Sequence, residues 1–204
     1  MDVRPILLSF QTAIIAILFT FVLGTGVAYI VFRLKNRKLK ILLNSLFTLP
    51  LVLPPTVFGF FLLTIFGVQQ PVGQFLLDFF AIQVVFSWQA TVIAAVAVSF
   101  PLMYRSALTA FEQMDSELLA VAQTLGFSES RYFRKIALPL SMNGLLAGGV
   151  LAFARGLGEF GATTMLAGNI AGKTRTLPLA IYSAVASGDW RLANQYVVIM
   201  LLLC

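Results

Sequence analysis

Residues 117–139 read ELLAVAQTLGFSESRYFRKIALP. This is the only long segment of the chain that mixes charge, aromatic side chains and helical spacing. Everything before and after it is dominated by apolar runs long enough to cross a bilayer. Leu118, Leu119, Ala122 and Leu125 fall near helical spacing on one apolar face, and Ser116 stands where an N-cap belongs. Gly126 suits the left-handed residue that stops a helix. Ser128 then opens a second short helix. Tyr132, Phe133, Ile136 and Leu138 lie on its apolar side, with Arg131, Arg134 and Lys135 opposite, and Pro139 ends it. The stretch therefore predicts a helix–Gly turn–helix in water, between membrane-crossing segments. An amphipathic helix floating in the headgroups would have a similar composition.

The composition fits that setting. Of 204 residues, 59% are hydrophobic and 11% are charged, and the mean hydropathy is +0.93. A soluble domain carries about 25% charged residues. The apolar runs are long and continuous rather than short and alternating, so the fold class is all-α, a polytopic transmembrane helical bundle. The net charge of +6 is that of basic loops facing the cytoplasm, and no nucleic acid partner is implied. One Cys, Cys204, and no His argue against a disulfide framework, a His/Cys metal site and a hydrolytic centre, so no catalytic or metal residue is assigned.

The first span is read as Pro5 to about Phe32, roughly 28 residues or about 42 Å, too long for a signal peptide. RLKNRKLK follows at 33–40, with five positive charges and no acid (Arg33, Lys35, Arg37, Lys38, Lys40). The positive-inside rule puts this loop in the cytoplasm and the N-terminus outside. The second span, about Ile41 to Phe66, contains LPLVLPPTVFG at 49–59. Pro50, Pro54 and Pro55 deprive the carbonyls of Leu46, Pro50 and Leu51 of helical donors, which predicts a kink or break. Broken helix in lipid is covered by protein or lines a polar cavity. Thr48, Pro50, Pro54, Pro55 and Thr56 are therefore candidates for a transport path, with a packing kink as the equal alternative. Residues 67–83 read as an outside loop with an interfacial stretch. A third span runs from about Val84 to Tyr104, with Trp88 and Tyr104 as belts and Arg105 marking the return to the cytoplasm. Residues 105–139 are then the cytoplasmic loop.

A fourth span, about Leu140 to Gly161, places Gly144, Gly148, Ala152 and Gly156 at four-residue steps that let a second helix approach closely. Arg155 and Glu159 are an i,i+4 pair on one helix face. They are further path candidates, or a self-neutralising structural pair. GNIAGKT at 168–174 ends like a phosphate-binding loop. Gly168 leaves only three residues before Gly-Lys-Thr where the motif needs four, so no nucleotide site is assigned. Lys173 and Arg175 fall outside, where they would attract an anion or simply face solvent. From Leu192 to Cys204 only 13 residues remain, short of the ~20 that cross a bilayer.

The 117–139 segment resembles the cytoplasmic coupling loop of ABC-transporter permease subunits, whose pattern is Glu-Ala-Ala, three residues, Gly, nine residues, Ile-x-Leu-Pro. Gly126, Ile136, Leu138, Pro139 and Ala122 match in spacing, and Val121 is a mild change. Ala120 stands where the family has its Glu, and Glu117 lies one turn earlier. LPLVLPPTVFGF, FARGLGEFGAT and GNIAGKTRTLPLAIY resemble molybdate ABC permeases, while sulfate permeases share the first two segments more loosely. The likeness covers residues 6–200. It implies a single permease domain of residues 1–204 with the type I importer fold. About five spans are expected, the last incomplete here because family chains finish it and end inside. It implies a prokaryotic plasma (inner) membrane location, a homodimer with the path on its axis and an ABC ATPase dimer docked on the coupling loops. A periplasmic or extracellular oxyanion-binding protein is implied outside. ATP and Mg²⁺ would belong to the ATPase, with no cofactor in this chain, and the transported ion would be molybdate or tungstate. The alternatives are a sulfate or thiosulfate permease, or an ATPase-independent channel or secondary transporter. A membrane enzyme is opposed by the lack of His and of a carboxylate pair in the spans.

Overall fold

A computed structural model describes residues 2–115 and 117–203. Among them the chain forms helices and turns and no strand. Helix α1 (Arg4–Arg33) is a single unbroken span. It lies beside α5 (Trp88–Glu112), and the two run parallel. Thr12 meets Thr91 at 3.0 Å and Thr20 meets Ser99 at 3.1 Å, both in the same register. Hydroxyl pairs of this kind between helices contribute about 0.6 kcal/mol each in a membrane. Further along that register, a Cβ on Gly24 would lie 2.7 Å from Met103 Cγ, so only glycine allows the approach.

The third span differs from its sequence reading. Helix α5 starts at Trp88 and runs to Glu112, past the buried Pro101. Arg105 therefore lies two turns inside the helix and does not mark its end. Tyr104 is fully buried, packed on Phe47 and Phe100 rather than in an interfacial belt. The turn after α5 opens at Gln113.

The second span is broken, and the break is sharp. Helices α2 (Arg37–Val52) and α3 (Pro55–Phe66) meet at 113°. Pro50 sits inside α2 without interrupting it. The turn falls at Leu53–Pro54, and Pro55 takes the first position of α3, where its missing N–H costs nothing. After it, α4 (Pro71–Phe80) forms within the 67–83 stretch.

The fourth span is also broken. Helix α9 (Met142–Leu157) runs antiparallel to α5. The small-residue stripe makes the contact: a Cβ on Gly144 would lie 2.6 Å from Ala110 Cβ, and one on Gly148 2.5 Å from Ser106 Cβ. After a break at 158–160 comes the short α10 (Gly161–Leu166). Helix α11 (Leu177–Ala186) was not anticipated from the sequence; it packs Leu177 and Ala180 against Tyr196 of α12 (Trp190–Leu203).

The contacts define two ends. At one, Leu177 N–H donates to Ser9 Oγ, Tyr196 O–H to the Asp2 carbonyl, and Trp88 Nε1–H to Thr12. At the other, the basic 33–40 segment is paired through Arg33–Glu129 and Lys40–Glu112 to the 112–139 stretch. We call the second the basic end.

Candidate functional site

At the basic end the water-facing stretch folds as two helices about a glycine. Helix α6 (Glu117–Thr124) starts where the Asp115 carboxylate accepts from Glu117 N–H; Ser116 lies outside the described residues. Gly126 holds φ +75°, and Phe127 N–H closes the turn on the Ala122 carbonyl. Helix α7 (Glu129–Tyr132) is capped by Ser128, as its position suggested. The chain then winds through a π-helical turn, Phe133–Ala137, into α8 (Leu138–Leu140). Pro139 does not end the helix. It takes an early position in α8, and the 72° bend into α9 comes after it, at Ser141.

This unit is fastened to the bundle. Phe133 packs on Tyr29 with centroids 4.5 Å apart and on Phe111 at 6.4 Å. Ala122, Tyr132 and Ala137 are buried in the same cluster as Val31, Leu108 and Leu145. Arg33 Nε–H donates to Glu129, and that bond holds the Glu129 carboxyl below the usual carboxylate range. The outward side is different. Leu125 is 71% and Val121 54% exposed, and Glu117, Ala120 and Pro139 are also exposed, with Ile136 and Leu138 half-buried. Leu125 therefore leaves the inner face on which helical spacing placed it and joins Val121 in an apolar ridge facing away from the bundle.

The path candidates fall into two groups. The breaks of the second and fourth spans touch: a Cβ on Gly161 would lie 2.9 Å from Pro55 Cβ, and one on Gly59 2.7 Å from Ala162 Cα. Glu159 lies in the break beyond α9, not on the helix with Arg155, yet it still reaches back. One carboxylate oxygen accepts from Arg155 Nη1 at 2.9 Å and the other from Ala162 N–H at 2.7 Å. Only 2% of Glu159 is exposed. The pair is thus a staple that closes the α9–α10 break with its hydrogen bonds met. Pro54, Pro55 and Thr56 are exposed beside it. Thr48 belongs elsewhere: with Pro50 it lies on α2, toward the basic end. Its hydroxyl donates to the Asn44 carbonyl at 2.7 Å.

The GNIAGKT segment is a tight turn whose polar groups serve one another. Thr174 Oγ1 accepts from Ile170 N–H and donates to the Gly168 carbonyl, and three amides converge on the Ile170 carbonyl.

Two apolar spans broken at touching points, with a helix pair fastened to their basic end, are the frame of a helical membrane protein. Its family is the one described as "Binding-protein-dependent transport system inner membrane component", which matches residues 16–204, and the chain belongs to it. The chain is 44% identical over 185 residues to the molybdenum transport system permease protein ModB of Haemophilus influenzae, spanning 91% of this chain and 80% of that protein. It is 44% identical over 182 residues to ModB of Escherichia coli K12, spanning 89% and 79%. A chain of the MetNI methionine ABC transporter in an inward-facing form shares the fold. Its TM-score is 0.75 at 16% identity, over 98% of this chain and 88% of that one. The chain is therefore an inner-membrane transport component.

Proposed function

We propose that this chain is the permease subunit of an ATP-driven importer of molybdate, working as a homodimer on a dimer of ABC ATPase subunits. The observation that carries the reading is the exposed Val121–Leu125 ridge on a helix pair otherwise anchored in the bundle. An apolar ridge at the water-facing end asks for a protein partner. The five cations of residues 33–40 support a cytoplasmic location for that end, where an ATPase is available. ATP and Mg²⁺ belong to that partner. At the opposite end a binding protein delivers the anion. The identity to ModB proteins supports a molybdenum oxyanion over sulfate, and tungstate has the same tetrahedral charge and shape.

Coupling follows from continuity of the chain. ATPase closure moves the Val121–Leu125 ridge. The Phe133 anchor and the unbroken run from α7 through Pro139 carry that motion to the 72° bend at Ser141, the base of α9. Helix α9 slides on α5 along its small residues, and its far end holds the Arg155–Glu159 staple beside the Pro54–Pro55 break.

The test is ATP hydrolysis by the reconstituted permease–ATPase complex, with oxyanion-binding proteins loaded with molybdate, tungstate or sulfate. Stimulation by the molybdate-loaded protein is expected. Stimulation by the sulfate-loaded protein alone reassigns the substrate. A permease that purifies and transports without any ATPase overturns the reading.

A further inference from the structure

We propose that Arg105, with Asn44 and Ser45, forms a station for a tetrahedral oxyanion in the basic-end half of the path; this rests on the importer reading above. Helix α5 is an apolar span, yet Arg105 is exposed within it. It stands seven residues before Glu112, about 10 Å from the helix end. It takes part in none of the ion pairs found among the described residues. A guanidinium on a span faces a partner or water rather than lipid tails. Here it faces a cavity of about 450 Å³ lined by Asn44, Ser45, Thr48, Leu51, Val52 and Arg105.

The hydrogen-bond inventory of that cavity selects the charge of its ligand. Arg105 only donates. Tyr104 O–H donates to Asn44 Oδ1, which turns the Asn44 amide NH₂ into the free half of the side chain. The Thr48 proton is used on the Asn44 carbonyl, so Thr48 holds the helix turn rather than the ligand. Among the described residues Ser45 Oγ takes part in no side-chain hydrogen bond, only its carbonyl being used, and it is free to donate. No carboxylate lines the cavity. The neighbouring acid, Glu112, is 2.7 Å from Lys40 and neutralised there. The cavity thus presents one net positive charge and two neutral donors, a set that fits an anion with several acceptor oxygens and repels cations. Thr109 and Gln113 continue the exposed polar strip from Arg105 towards the basic end, bordering a second cavity that shares Arg105. The station is open and singly charged, so it binds weakly, as a path requires for release.

The assembled permease–ATPase complex in nanodiscs of zwitterionic lipid, without binding protein, is titrated with radiolabelled molybdate, and uptake is measured in parallel. Saturable weak binding is expected in the wild type. It weakens about ten-fold in Arg105→Gln and less in Ser45→Ala, and is partly retained in Arg105→Lys, with uptake falling in the same order. Recovery of intact complex is measured for each variant; if Arg105→Gln is not recovered, the two milder variants decide. Absent binding in the wild type, or equal binding and uptake in all variants, overturns the station. So does loss of wild-type binding on adding anionic lipid, which assigns the site to a lipid phosphate. A wild type that takes up no oxyanion instead sinks the importer reading, a separate result.

Discussion

Gly126 carries φ +75° with nothing within 4 Å of where a Cβ would stand. Space is therefore not what demands glycine there; the backbone conformation is. A left-handed L-residue costs about 1–2 kcal/mol, more when β-branched, while Asn tolerates the region. The turn is closed by Gly126 N–H on Gln123 and Phe127 N–H on Ala122, and Phe127 in turn lies under the Arg131 guanidinium. Straining φ at 126 tilts α6, and with it the ridge, relative to the anchored α7. Gly126→Asn is expected to keep ATPase stimulation by the binding protein near wild type, and Gly126→Val to reduce it several-fold. Normal stimulation in Gly126→Val would show that the tilt of α6 does not matter to coupling. This glycine was legible from spacing alone, because a single residue between two capped runs leaves few conformations. The inward or outward sense of Leu125 was not. It sits at the last turn before the reversal, where helical spacing no longer fixes direction.

Between helices, the α5–α9 seam tightens toward the basic end. At Gly144 and Gly148 an added Cβ would stand 2.6 and 2.5 Å from Ala110 and Ser106 Cβ, but at Gly156 it would be 3.8 Å from Ala95 Cβ. The atoms met at the tight positions are themselves fixed to the helix backbone, so they cannot swing away. Gly148→Ala must therefore separate the helices, at about 1–3 kcal/mol. Gly156→Ala fills an ordinary contact and gains helix propensity, so it is neutral or stabilising by up to about 1 kcal/mol. Thermal unfolding of the detergent-solubilised protein separates the two; equal midpoints would mean the seam is loose in solution. The stripe itself was readable at four-residue steps, and so was a broken second span, since each proline removes a donor. The 113° bend was not readable. A missing N–H says where a helix weakens, and only the fit of α3 against α10 through Gly59 and Gly161 says which way it turns. Helix α11 escaped because ten residues of small and apolar side chains between polar turns fall short of a span.

On the scale of the whole molecule, two independent facts agree on which residues share an end. Loop charge grouped residues 33–40 with the 117–139 stretch before any coordinates, and Arg33–Glu129 and Lys40–Glu112 join them. Residues of the 168–175 turn lie with the N-terminus instead: a Cβ on Gly172 would be 3.3 Å from the Arg4 guanidinium. A bilayer between the ends then fixes every other assignment, because α1 and α5 run parallel and α9 returns. Orientation therefore reduces to one binary question with an exposed lysine at either end, Lys135 and Lys173. In a Cys204→Ser background expressed without the ATPase, Lys173→Cys is expected to react with a membrane-impermeant maleimide in intact cells. Lys135→Cys is expected to react only after permeabilisation. The positive-inside rule gives this direction because, of the five cations of 33–40, Arg33 pairs with Glu129 and Lys40 with Glu112 among the described residues, leaving Lys35, Arg37 and Lys38 to oppose translocation. The reverse labelling pattern would put the Val121–Leu125 ridge outside, beyond the reach of any ATPase, and would remove the docking mechanism while leaving the fold intact.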